Sequence, residues 1–354
     1  MTAPARLRQL TTARPMSDPA SSSLYPIRRL MGVAIAAVGA AVPDQVVTNE
    51  DLQRTHGFDP DWIVQRTGIR ERRHVSPDQA TSDLAVLAAA QCLERAGVQP
   101  SEVDMLLVGT FTPDYLCPST AALVQHKLGL RCGAVDLQAA CAGFMYTLVT
   151  GMQFVASGTS KRCLVIGADC NSRILNPKDT KIYPLFGDGA GAVLLTPGTK
   201  QQGMLAYSLG ADGGGCDLLV RKTGGSRHPY ESTTAEQGSH FLHMDGKPVF
   251  KWAVRLVEES MRDVIRAAEL SLEQIDLALL HQANVRILDG IADALGLDKA
   301  KVAIQLDRYG NTSAASIPLA LEECVRQGRV APGNHLLMSG FGAGLAWGTG
   351  VWKW

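Results

Sequence analysis

Three polar side chains stand where the chain could do chemistry. Cys141 lies in Gln138-Ala-Ala-Cys-Ala-Gly143, just ahead of the helical pattern FMYTLVTGMQFVAS. Small neighbours permit a sharp turn, with the thiol at a helix N-terminus. There the dipole and the unpaired N–H groups favour the nucleophilic thiolate. A structural cysteine buried at a helix start would have the same surroundings, so this motif alone leaves both readings open. His281 ends the apolar run IDLALLH and opens HQAN; a strand-end histidine can serve acid–base chemistry or be satisfied in the core. Asn311, in YGNTSAAS, can donate an amide N–H or simply cap the helix that follows. Together the three make a nucleophile, an acid/base and an amide donor.

Two glycine-rich stretches differ in meaning. FGDGAGAVLLTP (186–197) leads into a strand, whereas a dinucleotide-binding loop must lead into a helix that holds the pyrophosphate. The Rossmann reading is rejected. GFGAGLAWG (340–348) follows the strand pattern HLLMS and can offer backbone N–H groups to an oxyanion.

The elements that position these groups come from an internal repeat. AGVQPSEVDMLLVG (96–109) aligns with AELSLEQIDLALLH (268–281) at an offset of 172, and the same offset lays CLVIG (163–167) on HLLMS (335–339). It also sets Cys141 on Ser313 and His281 on Gly109, so the turns ACAGF and NTSAAS should face each other. Each half reads as strand, helix, strand, helix, strand. The expected helices are Asp83–Ala96 with a left-handed end at Gly97, Cys141–Ser157, a long one carrying Phe250, Ala253, Leu256, Val257, Met261, Val264 and Ile265, and Ser313–Gln327. Continuous apolar strands between helices imply sheets covered on both faces, with ligands at the strands' carboxyl ends. The expected class is α/β, a duplicated unit with halves at 31–200 and 201–354.

Composition narrows the partners. Lys plus Arg and Asp plus Glu number 34 each, so nothing global points to nucleic acid or an anionic membrane. The eight cysteines contain no CxxC pair, which opposes a zinc ribbon or a thioredoxin site, and no metal is expected. Several sit in apolar runs, as Cys163 does, and suit a reducing compartment. Residues 1–30 hold five arginines, one acid and a Ser-rich stretch, and are expected to form a disordered extension. RRLMGVAIAAVGAAVP mimics a signal peptide, but Val33–Val42 reads as a buried strand, and no other run could span a bilayer. The location expected is cytoplasmic, with a plastid as the alternative should the tail be a transit peptide.

Seven segments, in order, resemble the β-ketoacyl-acyl-carrier-protein synthase III family across nearly all of 32–354: DWIVQRTGIRERR, QAACAGF, FGDGAGA, MDGKPVFKWAV, HQAN, YGNTSAASIP and GFGAGLAWG. The resemblance implies a thiolase-like fold, two pseudo-symmetric βαβαβ halves layered α/β/α/β/α. It implies an acyltransferase that condenses an acyl-CoA primer with malonyl-acyl-carrier protein, works as a homodimer and needs no cofactor. Cys141 would be acylated, His281 and Asn311 would stabilise the malonyl enolate, and the backbone N–H groups of Cys141 and Ala343 would form the oxyanion hole. Ala343 stands where a glycine is common, a change tolerated when its φ is negative. Trp62 and Arg66 match CoA contacts, and Met244, Gly246, Phe250 and Asn284 match the pantetheine tunnel. Lys251, Arg255 and Arg286 match a carrier-protein docking patch, and Cys117 matches the end of the acyl pocket. A family arginine ahead of FGDGAG is absent; Thr180 holds its place and Lys181 follows. The alternative is a secondary-metabolite starter-unit condensing enzyme or acyltransferase of the same fold.

Overall fold

Strands such as CLVIGAD, apolar on both faces, persist only where helices cover both sides of a sheet. The computed structural model describes residues 25–354 except 232, 234 and 235, and there this strand is buried at every position. In chain order the strands are β1 (Arg28–Met31), β2 (Val33–Ala41), β3 (Val46–Thr48), β4 (Glu71–Arg73), β5 (Met105–Gly109), β6 (Gly133–Leu137), β7 (Cys163–Asp169), β8 (Gly189–Pro197), β9 (Gly203–Ala211), β10 (Leu219–Val220), β11 (His243–Met244), β12 (Leu277–Leu280), β13 (His335–Gly342) and β14 (Ala346–Lys353). The helices used below are α1 (Pro60–Thr67), α2 (Thr81–Ala96), α3 (Gly143–Ala156), α4 (Gly246–Ala267), α5 (Val285–Leu295) and α6 (Ser316–Arg326).

One sheet runs β2-β8-β7-β5-β6 and the other β1-β9-β14-β13-β12. They correspond strand by strand: β5 and β12 lie parallel to β7 and β13, which pair antiparallel with β8 and β14. The partner of β6 in the second half is reduced to a single parallel bridge between Ala278 and Val302. Phe144, Leu148 and Met152 of α3 and Ile317, Leu321 and Cys324 of α6 share one core with residues from both sheets, which makes these helices the middle layer. Helix α2 packs in a separate core on the far side of the first sheet, and α4 and α5 cover the second. The order is α/β/α/β/α, as expected.

The offset of 172 holds at β5 and β12 and at the helix ends before them. Gly97 follows α2 at φ 64, and Glu269, 172 residues later, adopts φ 59. Both turns close with the same bond, Val98 N–H to the Leu93 carbonyl at 3.1 Å and Leu270 N–H to the Ile265 carbonyl at 3.2 Å. At the facing turns the register slips by one. Short 3₁₀ turns, Ala140–Ala142 and Ser313–Ala315, precede α3 and α6, so Ala140 matches Ser313 and Cys141 matches Ala314. Ala140 (φ 45) and Ser313 (φ 52) share the left-handed conformation. The helices expected from Cys141 and Ser313 accordingly begin at Gly143 and Ser316.

Of the extension drawn over 1–30, residues 1–24 lie outside the described residues. Arg28–Leu30 are strand, because the edge of β9 offers them an antiparallel partner. Among the described residues no helix is long and apolar enough to cross a membrane.

Candidate active site

A single turn, 311–316, touches all three candidate residues. Ser313 donates from Oγ to Cys141 Sγ at 3.3 Å. Its backbone N–H donates to Asn311 Oδ1 at 2.9 Å, which leaves the Asn311 Nδ2 group to donate elsewhere. Ser316 Oγ lies 3.2 Å from His281 Nδ1 and 3.2 Å from Thr312 Oγ1. Every member is buried. The oxygen of Asn311 does the local capping that its sequence position suggested, and the same residue keeps a donor for chemistry.

Strand β13 closes on the nucleophile from the other side. A Cβ added to Gly342 would lie 2.8 Å from Cys141 Cβ and 2.9 Å from its backbone nitrogen, so only glycine allows this approach. Ala343 follows, and together with Cys141 it lines a cavity of about 1130 Å³. Among the described residues the non-glycine positions with positive φ are Ala140, Glu269 and Ser313, so alanine at 343 is free of left-handed strain. Tyr146, Phe111 and Leu219 also line the cavity, as do Gly224 and Gly225. Tyr115 and Leu116 reach it as well, whereas Cys117 is exposed beside them.

Burial sets the charges. It pushes the Cys141 thiol up to about 12, opposed by the Ser313 hydroxyl and reinforced by the negative Asp169. A helix start favours a thiolate by about 1 kcal/mol, less than one pK unit, so the enclosed sulfur stands as a thiol at neutral pH. Burial also lowers His281 to about 3, which keeps the ring neutral, and its edge meets Phe341 with centroids 5.2 Å apart.

The remaining sequence candidates fall into a second group. Asp59 caps α1, Pro60 opens it and Gly68 ends it, and Trp62 and Arg66 stand exposed one turn apart. A Cβ on Gly68 would press on Val285 at 2.8 Å, which sets this helix end against the start of α5. Asn284 caps α5 through Oδ1 to the Ile287 N–H at 3.0 Å. Met244 lies in the ribbon whose partner strand, β10, lines the cavity. Gly246 opens α4, and Phe250, Lys251 and Arg255 follow on its exposed side, as does Arg286 on α5. Arg255 is paired with Glu259 at 2.9 Å, which takes part of its charge out of the patch. Thr180 and Lys181 are exposed.

Reading the sequence missed three residues. Ser313 and Ser316 stood in the YGNTSAAS motif without any sign of which atoms they would meet. Asp169, fully buried at the end of β7, accepts from Thr110 Oγ1, Thr112 Oγ1 and the Phe111, Thr112 and Ala314 N–H groups. An acid closing an apolar strand was the available signal.

Comparison with known proteins gives a consistent result. The family profile described as 3-oxoacyl-[acyl-carrier-protein] synthase III matches residues 135–213, and that of its C-terminal part matches 265–354. A protein of Rhodopirellula baltica named beta-ketoacyl-[acyl-carrier-protein] synthase III is 51% identical over 343 residues, 92% of this chain and 99% of the relative. The crystal structure of the enzyme of that name from Thermus thermophilus superposes with a TM-score of 0.84 at 41% identity, covering 90% of this chain and 98% of that one. A priming beta-ketosynthase from the R1128 polyketide pathway gives a TM-score of 0.84 at 34% identity, over 94% of this chain and 98% of its own.

Proposed function

The chain belongs to the beta-ketoacyl-[acyl-carrier-protein] synthase III family, and from that premise we propose that Cys141, His281 and Asn311 are its catalytic residues. It is an acyltransferase that condenses an acyl-CoA primer with malonyl-acyl-carrier protein, with loss of CO2, at the start of fatty-acid synthesis.

Cys141 Sγ attacks the primer thioester, and the developing oxyanion is held by the backbone N–H groups of Cys141 and Ala343. CoA leaves and the acyl group stays on sulfur. Malonyl-carrier protein then enters, and its thioester oxygen accepts hydrogen bonds from His281 and Asn311 Nδ2. Ser316 Oγ lies 3.2 Å from His281 Nδ1; with the hydroxyl donating there in the substrate complex, the neutral ring would carry its proton on Nε2 and donate it to the thioester oxygen. Carbon dioxide departs, the enolate carbon attacks the acyl group, and Cys141 is released. Donors preorganised in a dry site act on developing charge at full strength. The observation that carries this reading is the 311–316 turn, which contacts all three residues at once.

Trp62 and Arg66 would take the CoA nucleotide, with Met244, Gly246, Phe250 and Asn284 along the pantetheine. Lys251, Arg255 and Arg286 would meet the acidic carrier protein. The homodimer would form at the open edge of β6, where Val135 is 42% exposed. The enzyme would work in the cytoplasm without a metal or resident cofactor. The test incubates the protein with radiolabelled acetyl-CoA, maps the labelled peptide and follows CO2 release from malonyl-carrier protein. Label on Cys141 and release of CO2 are expected; label on another cysteine, or a Cys141→Ala protein that still acylates, overturns the assignment.

A further inference from the structure

Two side-chain amides are sealed inside the molecule beside His281. Gln282, the second residue of HQAN, is fully buried, and Gln305 is 2% exposed. A buried amide is costly wherever one of its groups lacks a partner, and an apolar side chain of the same length fills the space without that cost. Gln305 bears the cost, for its Oε1 is buried and has no hydrogen-bond partner among the described residues. Packing alone does not account for a glutamine there; the bond made by its Nε2 group does.

The bonds of the two glutamines close a circuit around the histidine. Gln282 Nε2 turns back past His281 to donate to the carbonyl of Leu280, the last residue of β12, at 2.9 Å and to the Ala303 carbonyl at 3.1 Å. Its Oε1 accepts from the Gln305 N–H at 3.1 Å. Gln305 Nε2 donates in turn to the Ser316 carbonyl at 2.9 Å. Ser316 Oγ lies 3.2 Å from His281 Nδ1, which completes the circuit. The Ser316 carbonyl lies in the first turn of α6, where the helix ladder already offers a carbonyl the amide four residues on. The bond from Gln305 is therefore additional, and it fixes where the helix start stands. His281 belongs to one side of this junction, its N–H held by the Ser339 carbonyl of β13 at 2.8 Å, and the turn bearing Asn311 and Ser316 belongs to the other.

We propose that Gln282 and Gln305 form a clamp that sets the His281 ring at the spacing from the 311–316 turn that its catalytic role requires. They are positioning residues, and the inference rests on His281 and Asn311 being the donors to the malonyl thioester. Those donors come from opposite sides of the junction, so one oxygen meets both only where the sides keep a fixed spacing. A misplacement of about 1 Å costs up to about a hundredfold in rate. Acylation of Cys141 draws on backbone N–H groups instead and does not need that spacing.

Gln305→Met keeps the side chain's length and the backbone N–H but removes the bond to Ser316. It should lower kcat for decarboxylation of malonyl-carrier protein at least about tenfold, with KM and acetyl transfer to Cys141 each within about threefold of wild type. In a His281→Ala background the same substitution should change the residual decarboxylation by less than about threefold, because a residue that acts through the histidine has nothing left to position. Gln282→Met should behave alike, and the two substitutions together should cost no more than the worse one alone. Urea unfolding midpoints show which variants are folded, and Gln305→Met, which leaves the backbone bond to Gln282 in place, carries the test if Gln282→Met does not fold. The clamp is overturned if folded Gln305→Met decarboxylates within about threefold of wild type, or if it loses activity equally with and without His281. Decarboxylation that survives His281→Ala would overturn the role of His281 itself and the clamp with it, so the two failures read differently.

Discussion

Burial holds the His281 ring near 3, so in the role proposed for it the ring would act as a neutral donor. Malonyl decarboxylation should then show no acid limb from this ring between about pH 5 and about pH 8, since its protonation state does not change there. The unfolded chain protonates the ring near 6.5 and the folded chain only near 3, so protonation favours unfolding. The ring's contribution is intact above 6.5 and is lost as pH falls toward 3. Replacing the donors tests their division of labour. His281→Ala and Asn311→Ala should each cut decarboxylation at least about a hundredfold, the loss typical of one oxyanion donor, while Cys141 still takes up part of its acyl label. Complete loss of acylation in both folded variants would show that they serve the nucleophile instead. His281 and Asn311 were legible as polar residues at strand ends. Asp169 was not, because no pattern states which buried acid will lie behind which turn.

At the scale of elements, the two halves end their outer helices alike but with different residues. Gly97 takes the left-handed position without cost, whereas Glu269 bears a Cβ there and is exposed. Glu269→Gly should stabilise the protein by about 1 kcal/mol, the left-handed penalty less the entropy that glycine adds to the unfolded chain. A raised urea midpoint with unchanged slope would confirm it, and a lowered midpoint would mean that the Glu side chain makes a contact worth more than the strain. The repeat that exposed this correspondence was readable because βα units impose the same buried positions twice. The one-residue slip at the facing turns was not, since a 3₁₀ turn before a helix leaves no periodic trace in so short a stretch.

The whole molecule decides primer length. The cavity is roomy at about 1130 Å³, and Cys117, at the position where the resemblance implies that an aromatic ring would restrict the pocket to acetyl, is exposed on this chain beside Tyr115 and Leu116. If Cys117 reaches the partner's pocket across the proposed homodimer, as the resemblance implies, a thiol there would leave space for several methylenes. Each adds about 0.8 kcal/mol, roughly a fourfold preference per carbon. A kcat/KM series over acyl-CoAs should therefore show a broad optimum beyond acetyl, and Cys117→Phe should pull it back toward acetyl. A wild type that rejects butyryl and longer primers, or a variant with an unchanged profile, would show that Tyr115 or Leu116 closes the pocket. The proposed dimer has its own check: Val135→Lys places a charge on the open edge of β6 and should yield monomer in sedimentation.

Local chemistry and periodicity are written along the chain, so the sequence by itself determined the duplicated α/β architecture, the strand ends that bear Cys141 and His281, and the turn that bears Asn311. Those features depend on neighbours a few residues away and on burial patterns that repeat every two or 3.6 positions. What only the tertiary structure decided is which atoms meet across the junction of the halves. Ser313 reaches Cys141 across 172 residues, Gly342 brings β13 against the same cysteine, and Asp169 lies behind Ala314 across 145. The protonation of the nucleophile belongs to the same class. A helix start favours a thiolate and burial of the sulfur opposes it, and that desolvation is a property of the closed fold rather than of any segment.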